Sequence, residues 1–214
     1  PLFVIDLSNP INPTVLGKLK IPGFSDYLHP YDENHIIGIG KDTVEAEEGD
    51  FAWYQGLKLA IFDVTDVENP QQLHAELIGD RGTDSEVLTD HKAFLFDKEK
   101  NLLVLPVTLA ELKGENNEPN AYGDFVFQGA YVYNIDLANG FQLKGRITHY
   151  EDEEAFKKSG YYFYGGDYSV RRALYIDSIL YTISNGEIKL NNLDNLEEIK
   201  ELKLNLPENQ EYRY

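Results

Sequence analysis

The sequence predicts an all-β protein made of repeated four-stranded units, and two observations support this prediction. The first is a pattern that recurs along the chain: an aliphatic run, an Asp, an apolar residue and a turn rich in Asn, Asp and Pro. Its copies occupy residues 3–10, 60–70, 132–137 and, in a weaker form, 188–194. The second is a set of apolar hairpins between the copies. Such repeats are typical of proteins in which each unit buries its apolar face against the next.

The spacing of the copies gives the size of the unit. Asp6, Asp63, Asp136 and Asn192 are equivalent positions, and they lie 57, 73 and 56 residues apart. The middle unit is therefore longer by about 16 residues than its neighbours. We expect this insertion to form a surface loop.

A second apolar run follows each copy of the pattern. These runs lie at residues 14–21, 72–79, 141–147 and 198–204. Apolar and polar residues alternate in them with a period of two, as expected for a strand with one face in water. We interpret them as outer, half-exposed strands.

Pairs of apolar runs separated by an acidic turn lie between the copies. The pairs are 27–31 with 35–40, 92–96 with 102–106, and 172–176 with 179–183. Short polar side chains in the turns hydrogen-bond to the local backbone, and the near-continuous apolar runs favour strands buried on both faces. Each pair is predicted to be a buried hairpin.

Together these strands predict a β-propeller of four-stranded antiparallel blades, with about three and a half blades present as a partial ring. Within the propeller fragment 1–214 we predict an outer half blade at 1–24, a blade at 25–80, a blade with the insertion at 81–148, and a blade at 149–206. A closed ring takes four to eight blades. Either upstream blades complete the ring or two copies form a homodimer through their open edges.

Composition excludes several classes of partner. The formal net charge of −18 repels a phosphate backbone, so nucleic acid is not an expected partner. The chain contains no Cys, which excludes disulfides and thiolate metal sites. No apolar run is long enough to insert into a membrane. The chain starts at Pro1 within a predicted strand and contains no Met, so we expect it to be part of a longer protein.

Three segments, residues 3–10, 27–40 and 90–96, together resemble a known family. The family is that of secreted bacterial and archaeal β-propeller-domain proteins, distantly related to WD-repeat and LVIVD-repeat propellers. The resemblance covers essentially the whole chain. It implies a propeller in an exported or surface-attached protein, and hence an extracellular or cell-surface location. It provides no catalytic residues.

Metal binding is considered first among the candidate chemistries. The five histidines, His29, His35, His74, His91 and His149, have no spacing typical of a metal site, so we expect structural or surface roles for them. Calcium is the more plausible ion because it prefers six to eight oxygen ligands, and two loops concentrate carboxylates. The candidate calcium ligands are Glu47, Glu48, Asp50, Asp80 and Asp84. The alternative is that these loops are acidic and solvated, since neither has EF-hand spacing.

A carboxylate pair could support glycoside hydrolysis, a reaction that some propellers catalyse. Asp26, Asp84 and Asp90 lie near strands that border the predicted propeller axis. Acidic residues at strand starts more often bond to backbone amides in turns. The sequence leaves both interpretations open.

The candidate ligand-binding residues come from an aromatic tract and the segment that follows it. The candidates are Tyr161, Tyr162, Tyr164, Tyr168, Arg171, Arg172 and His91. Exposed aromatic side chains beside glycines often bind carbohydrate or peptide, although tyrosines also pack between blades. The two arginines precede an inner hairpin and could point into the axial channel, where we expect Arg172 to pair with an acidic loop residue.

The sequence thus favours a non-enzymatic propeller scaffold that presents loops to a protein, peptide or glycan ligand. One alternative is a glycan-active hydrolase that uses an axial carboxylate pair. Another is a calcium-stabilised structural module.

Overall fold

The computed structural model describes residues 1–47, 49–114, 118–159 and 166–206. Within them lie one helix of seven residues, α1 (Glu153–Ser159), and fourteen strands. The strands are β1 (Leu2–Asp6), β2 (Thr14–Leu19), β3 (Phe24–Pro30), β4 (His35–Glu45), β5 (Ala52–Asp63), β6 (Gln71–Ile78), β7 (Leu95–Asp97), β8 (Leu102–Glu111), β9 (Asp124–Asp136), β10 (Gly140–Ile147), β11 (Arg172–Ile176), β12 (Ile179–Ile183), β13 (Glu187–Asn192) and β14 (Glu198–Lys203). None of the described helices is long and apolar enough to span a membrane.

The strands form one two-stranded sheet and three four-stranded sheets. Strands β1 and β2 pair with each other, while β3–β6, β7–β10 and β11–β14 each form a sheet in chain order. We call these sheets A, B, C and D. All their pairings are antiparallel. The all-β fold and the partial ring of four-stranded blades predicted from the sequence are therefore confirmed.

The recurring acidic position has the same structural role in every unit. Each of these side chains accepts a hydrogen bond from the backbone N–H two residues later, at 2.8 Å in all four copies. The donors are Ser8 for Asp6, Thr65 for Asp63, Ala138 for Asp136, and Asp194 for Asn192. This turn ends the third strand of the unit and begins the connection to the fourth. The sequence repeat is thus a repeat of turn chemistry.

The fourth strand of each unit carries a β-bulge. The register shifts opposite the third strand in sheets A, B, C and D, and the extra residues are Leu16, Leu73, Lys144 and Ile199. A bulge increases the local twist of a strand. The outer strands of all four units are therefore bulged, next to the recurring turn in sheets A, B and D and two residues further from it in sheet C.

Sheet C is buried on both faces. One of its faces packs on sheet B through Leu103, Leu105 and Tyr133, which are all 1% exposed or less. Its other face packs on sheet D through Val104 and Val132. Burial of an aliphatic side chain of this size contributes about 1.5–3 kcal/mol. The core of the protein therefore lies between sheets.

The first strand of each predicted hairpin is less buried than the sequence indicates. Strand β3 alternates between exposed and half-buried residues, and β11 is only partly buried. In sheet C, residues 91–93 form a 3-10 helix, which leaves only three residues in β7. The prediction of strands buried on both faces is wrong for these innermost strands, because no strand of their own sheet covers their inner edge.

The longer middle unit also differs from the predicted surface loop. Its connection from sheet B to sheet C, residues 79–94, includes two 3-10 helices, Glu86–Leu88 and His91–Ala93. Thr83 and Ser85 are buried there, and their hydroxyl groups donate to the carbonyl oxygens of Ala110 and Pro106 at 3.0 and 2.6 Å. The expectation of a surface loop is wrong for this segment because polar side chains fix it to the edge of sheet C.

Candidate functional site

A cleft of about 550 Å³ lies where sheets B, C and the segment preceding sheet D meet. Its walls come from strands β4, β5, β8 and β9, from the connection 79–94, from Tyr122, and from residues 169–171. The lining side chains that matter below are Lys41, Arg81, Asp84, Glu86, Tyr122 and Arg171. The cleft thus brings together charged groups that are far apart in the sequence.

Arg81 lies between two aromatic rings on one side of the cleft. Its guanidinium carbon lies 4.7 Å from the ring centroid of Trp53 and 4.4 Å from that of Tyr122. The backbone N–H of Gly123 donates to the carbonyl oxygen of Arg81 at 2.8 Å, which holds Tyr122 beside the arginine. Stacking of this kind contributes about 0.5–2 kcal/mol. The clamp fixes the position of the guanidinium.

The hydrogen-bonding capacity of Arg81 is nearly unused. Its Nη2 lies 3.4 Å from the hydroxyl oxygen of Tyr122, while Nε and Nη1 are buried and have no hydrogen-bond partner among the described residues. In the part of the chain that the structure describes, Arg81 takes part in no ion pair. A buried donor without an acceptor costs about 1–3 kcal/mol.

Lys41 lies across the cleft and has partners. Its Nζ donates to the carbonyl oxygen of Thr83 and lies 3.1 Å from Oδ1 of Asp84. Asp26 is the extra residue of a bulge in β3 and lies opposite Ile39 and Gly40 of β4, next to Lys41. Burial raises the pKa of the Asp26 carboxyl, Lys41 lowers it, and the charge of Asp84 raises it further. Two of the three carboxylates predicted for hydrolysis are thus close enough to interact.

The third carboxylate belongs to a different group. Arg172 donates to Glu86 at 2.9 Å and also pairs with Asp90, and Arg171 donates to Glu86 at 3.0 Å. Asp90 also accepts from the backbone N–H of Lys92, and this hydrogen bond is the main reason that its pKa is lowered. The predicted pairing of Arg172 with an acidic loop residue is present. It joins the connection 79–94 to sheet D.

The aromatic tract is described only in part. Tyr161, Tyr162 and Tyr164 lie outside the described residues. Tyr168 packs edge-on against Tyr150, with ring centroids 6.3 Å apart, directly before the residues that line the cleft. A role for this tract in ligand binding stays a prediction.

His91 stacks on Tyr27, which in turn is hydrogen-bonded to His29 at 2.7 Å.

His149 is 4% exposed and lies between the hydroxyl oxygens of Ser184 and Thr182, at 2.9 and 2.8 Å. Burial and the charge of Lys189 lower the pKa of His149 to about 4, against a smaller opposing effect of Thr182. This histidine is therefore neutral at neutral pH.

The candidate calcium ligands are distributed over several places. Asp80 accepts from the backbone N–H of Leu112 at 2.7 Å, and Asp84 pairs with Lys41. Glu47 and Asp50 belong to the turn between β4 and β5, and Glu48 lies outside the described residues. Within the described ranges, no three His, Asp or Glu side chains are grouped as metal ligands. Calcium binding stays a prediction, and a melting temperature unchanged by calcium would contradict it.

Sequence reasoning did not identify Arg81, Trp53 or Tyr122 as a group. They lie on three segments that only the folded chain brings together. Trp53 is the single tryptophan of the chain, and Arg81 is a lone cation within an acidic stretch. These two facts are the sequence features that single out Trp53 and Arg81, but neither predicts that the guanidinium stacks on the rings of Trp53 and Tyr122.

Sequential four-stranded antiparallel sheets that pack face to face are the architecture of a β-propeller. Residues 1–196 match the model of the family described as "Beta propeller domain", and the chain belongs to this family.

Two archaeal relatives are similar to nearly the whole chain. An uncharacterised protein of Archaeoglobus fulgidus is 34% identical over 204 residues, which is 95% of this chain and 24% of that protein. An uncharacterised protein of Methanocaldococcus jannaschii is 32% identical over 203 residues, which is 95% of this chain and 25% of that protein. The chain thus spans about a quarter of the length of these curated relatives.

Proposed function

We propose that this propeller is a non-enzymatic binding module and that its ligand, a peptide or glycan chain outside the cell, lies in the cleft. The observation that carries the proposal is the cleft itself. Its volume of about 550 Å³ is within the range of known ligand sites. Tyr54, Phe125 and Tyr122 provide aromatic surface, and Gln128 and Thr108 provide polar groups. This mixture suits a ligand that needs both packing and hydrogen bonds.

Filling the cleft tests the proposal. Thr108→Trp places a large side chain in the cleft wall, and Leu143→Trp places the same side chain on the exposed outer strand β10. The probes are a random hexapeptide library and an array of oligosaccharides. We expect ligands of the wild-type chain to be retained by Leu143→Trp and lost by Thr108→Trp, with unchanged melting temperatures. Absence of any selected ligand, or equal binding by both variants, would contradict the proposal.

Asp26 and Asp84 favour a second candidate function, hydrolysis of a glycan. Their environments differ: burial raises the pKa of Asp26, while Lys41 lies 3.1 Å from Asp84. Glycosidases use two carboxyl groups held in different environments. Release of reducing sugar from any oligosaccharide that binds, abolished in both Asp26→Asn and Asp84→Asn, would establish this function. Binding without release of sugar would contradict it.

We also propose that two copies pair through exposed apolar faces at the ends of the sheet array. Phe3 and Ile5 are about half exposed on sheet A, and Leu174 and Ile176 are exposed on sheet D. Removing such a face from water favours association. Light scattering should give twice the mass of the chain, and Ile176→Lys should reduce it to that of a monomer. A wild-type monomer would contradict this pairing.

A further inference from the structure

Arg81 differs from the other cations of the cleft in having no carboxylate partner. Lys41 pairs with Asp84, and Arg171 pairs with Glu86. Arg81 has no ion pair among the described residues, although the chain has 37 acidic and 19 basic residues. In a protein of this composition an unpaired guanidinium that lines a cleft needs an explanation.

The environment of Arg81 makes it a receptor for a planar anion. Trp53 and Tyr122 both stack on the guanidinium, so its N–H groups are left to donate hydrogen bonds at its edge. Nε and Nη1 have no acceptor among the described residues, and Nη2, which neighbours each of them along one edge of the guanidinium, has only the 3.4 Å contact with the Tyr122 hydroxyl. A carboxylate matches two neighbouring N–H groups of a guanidinium in a bidentate arrangement.

Tyr122 provides the access that such a ligand requires. Its side chain is 63% exposed, so its ring can rotate towards solvent at little cost in buried area. Trp53, by contrast, is part of β5 and pairs with Val44 of β4. A ligand that enters beside Tyr122 would therefore reach the guanidinium without moving a sheet.

We propose that the cleft binds a polypeptide segment through one Asp or Glu side chain, which forms a bidentate ion pair with Arg81. This inference rests on the proposed binding function. The charge distribution favours a peptide over an acidic polysaccharide. Asp84 and Glu86 line the same cleft, and the chain carries a net charge of −18, so a polymer with a charge on every residue is repelled. A single carboxylate in a mixed segment meets the guanidinium and avoids that repulsion.

A hexapeptide library with one position fixed in turn as Glu, Gln, Asp or Asn tests the proposal. A charge-assisted hydrogen bond contributes about 1.5–3 kcal/mol, so Glu or Asp at one position should bind at least about tenfold more tightly than its amide. Arg81→Gln should remove this preference, and Arg81→Lys should retain only part of it. Arg146→Gln is the matched control, because Arg146 stacks on Phe127 at 4.6 Å and does not line the cleft.

The outcomes separate this inference from the proposed function. Peptides that bind with no preference for acid over amide, and that Thr108→Trp still blocks, would overturn the carboxylate anchor and leave the binding function standing. Binding of polygalacturonate, but of no peptide, with dependence on Arg81 would overturn the peptide ligand. Failure of every probe to bind would overturn both. Equal melting temperatures of Arg81→Gln and Arg146→Gln show that folding is not the cause of lost binding.

Discussion

Nε2 of His74 donates to the carbonyl oxygen of Leu137 at 2.9 Å, which joins the outer strand of sheet B to the third turn of sheet C. The next pair of sheets has a similar contact, because Nζ of Lys144 donates to the carbonyl oxygen of Leu193 at 2.6 Å. At both places a side chain of the fourth strand binds the Asx turn of the following unit. The turn that marks the sequence repeat is therefore also a contact between sheets.

His74→Ala should lower the free energy of unfolding by about 1–2 kcal/mol, because it removes this hydrogen bond and the packing of the ring against Gly140. Gln71→Ala, at an exposed position of the same strand, is the control and should have little effect. Chemical denaturation measures both. Equal stabilities of the two variants would show that the contact between sheets contributes nothing.

Asp63→Ala should destabilise the fold by about 1 kcal/mol, and Asp63→Asn should have a much smaller effect, because an amide oxygen can still accept from the Thr65 N–H. The fourth unit already uses Asn192 at this position. Asp50→Ala, in an exposed turn, controls for the lost charge. If Asp63→Asn were as destabilising as Asp63→Ala in thermal denaturation, charge rather than hydrogen bonding would explain the repeat.

Arg172→Ala should reduce stability by about 1 kcal/mol, because it breaks the partly exposed ion pairs with Glu86 and Asp90. The loss should become smaller at high salt concentration. A double-mutant cycle with Asp90→Ala isolates the interaction between the two side chains. A coupling energy of zero would show that the pair does not help to hold sheet D against the connection 79–94.

Stability should fall as the pH decreases from about 6.5 to 4, because His149 is neutral in the fold, with a pKa of about 4, and protonated in the unfolded chain below its ordinary pKa of about 6.5. Above about pH 6.5 His149 is neutral in both the folded and the unfolded chain, so its protonation costs no stability. At pH 4 the free energy of unfolding is lower by about 3 kcal/mol. His149→Gln should flatten this part of the profile of melting temperature against pH. His91→Gln is the control, and identical profiles for the two variants would contradict the assignment.

The strands and their order were predictable from the sequence because the apolar periods are local. Asp6, Asp63 and Asp136 mark the units since the hydrogen bond that each one accepts comes from two residues away. The exposure of β3 was not predictable, because it depends on the place of the strand at the inner edge of sheet B.

The candidate site was predictable only in part. Arg172 was expected to pair with an acid, and it does, although the sequence did not specify Glu86 and Asp90. The clamp around Arg81 depends on contacts 28 and 41 residues away in the chain, to Trp53 and Tyr122, and such contacts have no local pattern. Side chains brought together by long connections are therefore the part of a repeat protein that its period does not reveal.

The burial of sheet C on both faces has a consequence for the order in which the molecule opens. In the part of the chain that the structure describes, the core clusters lie between neighbouring sheets, so cooperative opening can begin at either outer sheet of the array and proceed inwards. The backbone amides of β8 and β9, which lie in the middle, should then be the last to exchange their hydrogens with solvent. The wall of the cleft that Thr108 and Gln128 provide belongs to these two strands and would persist while the ends of the array fluctuate.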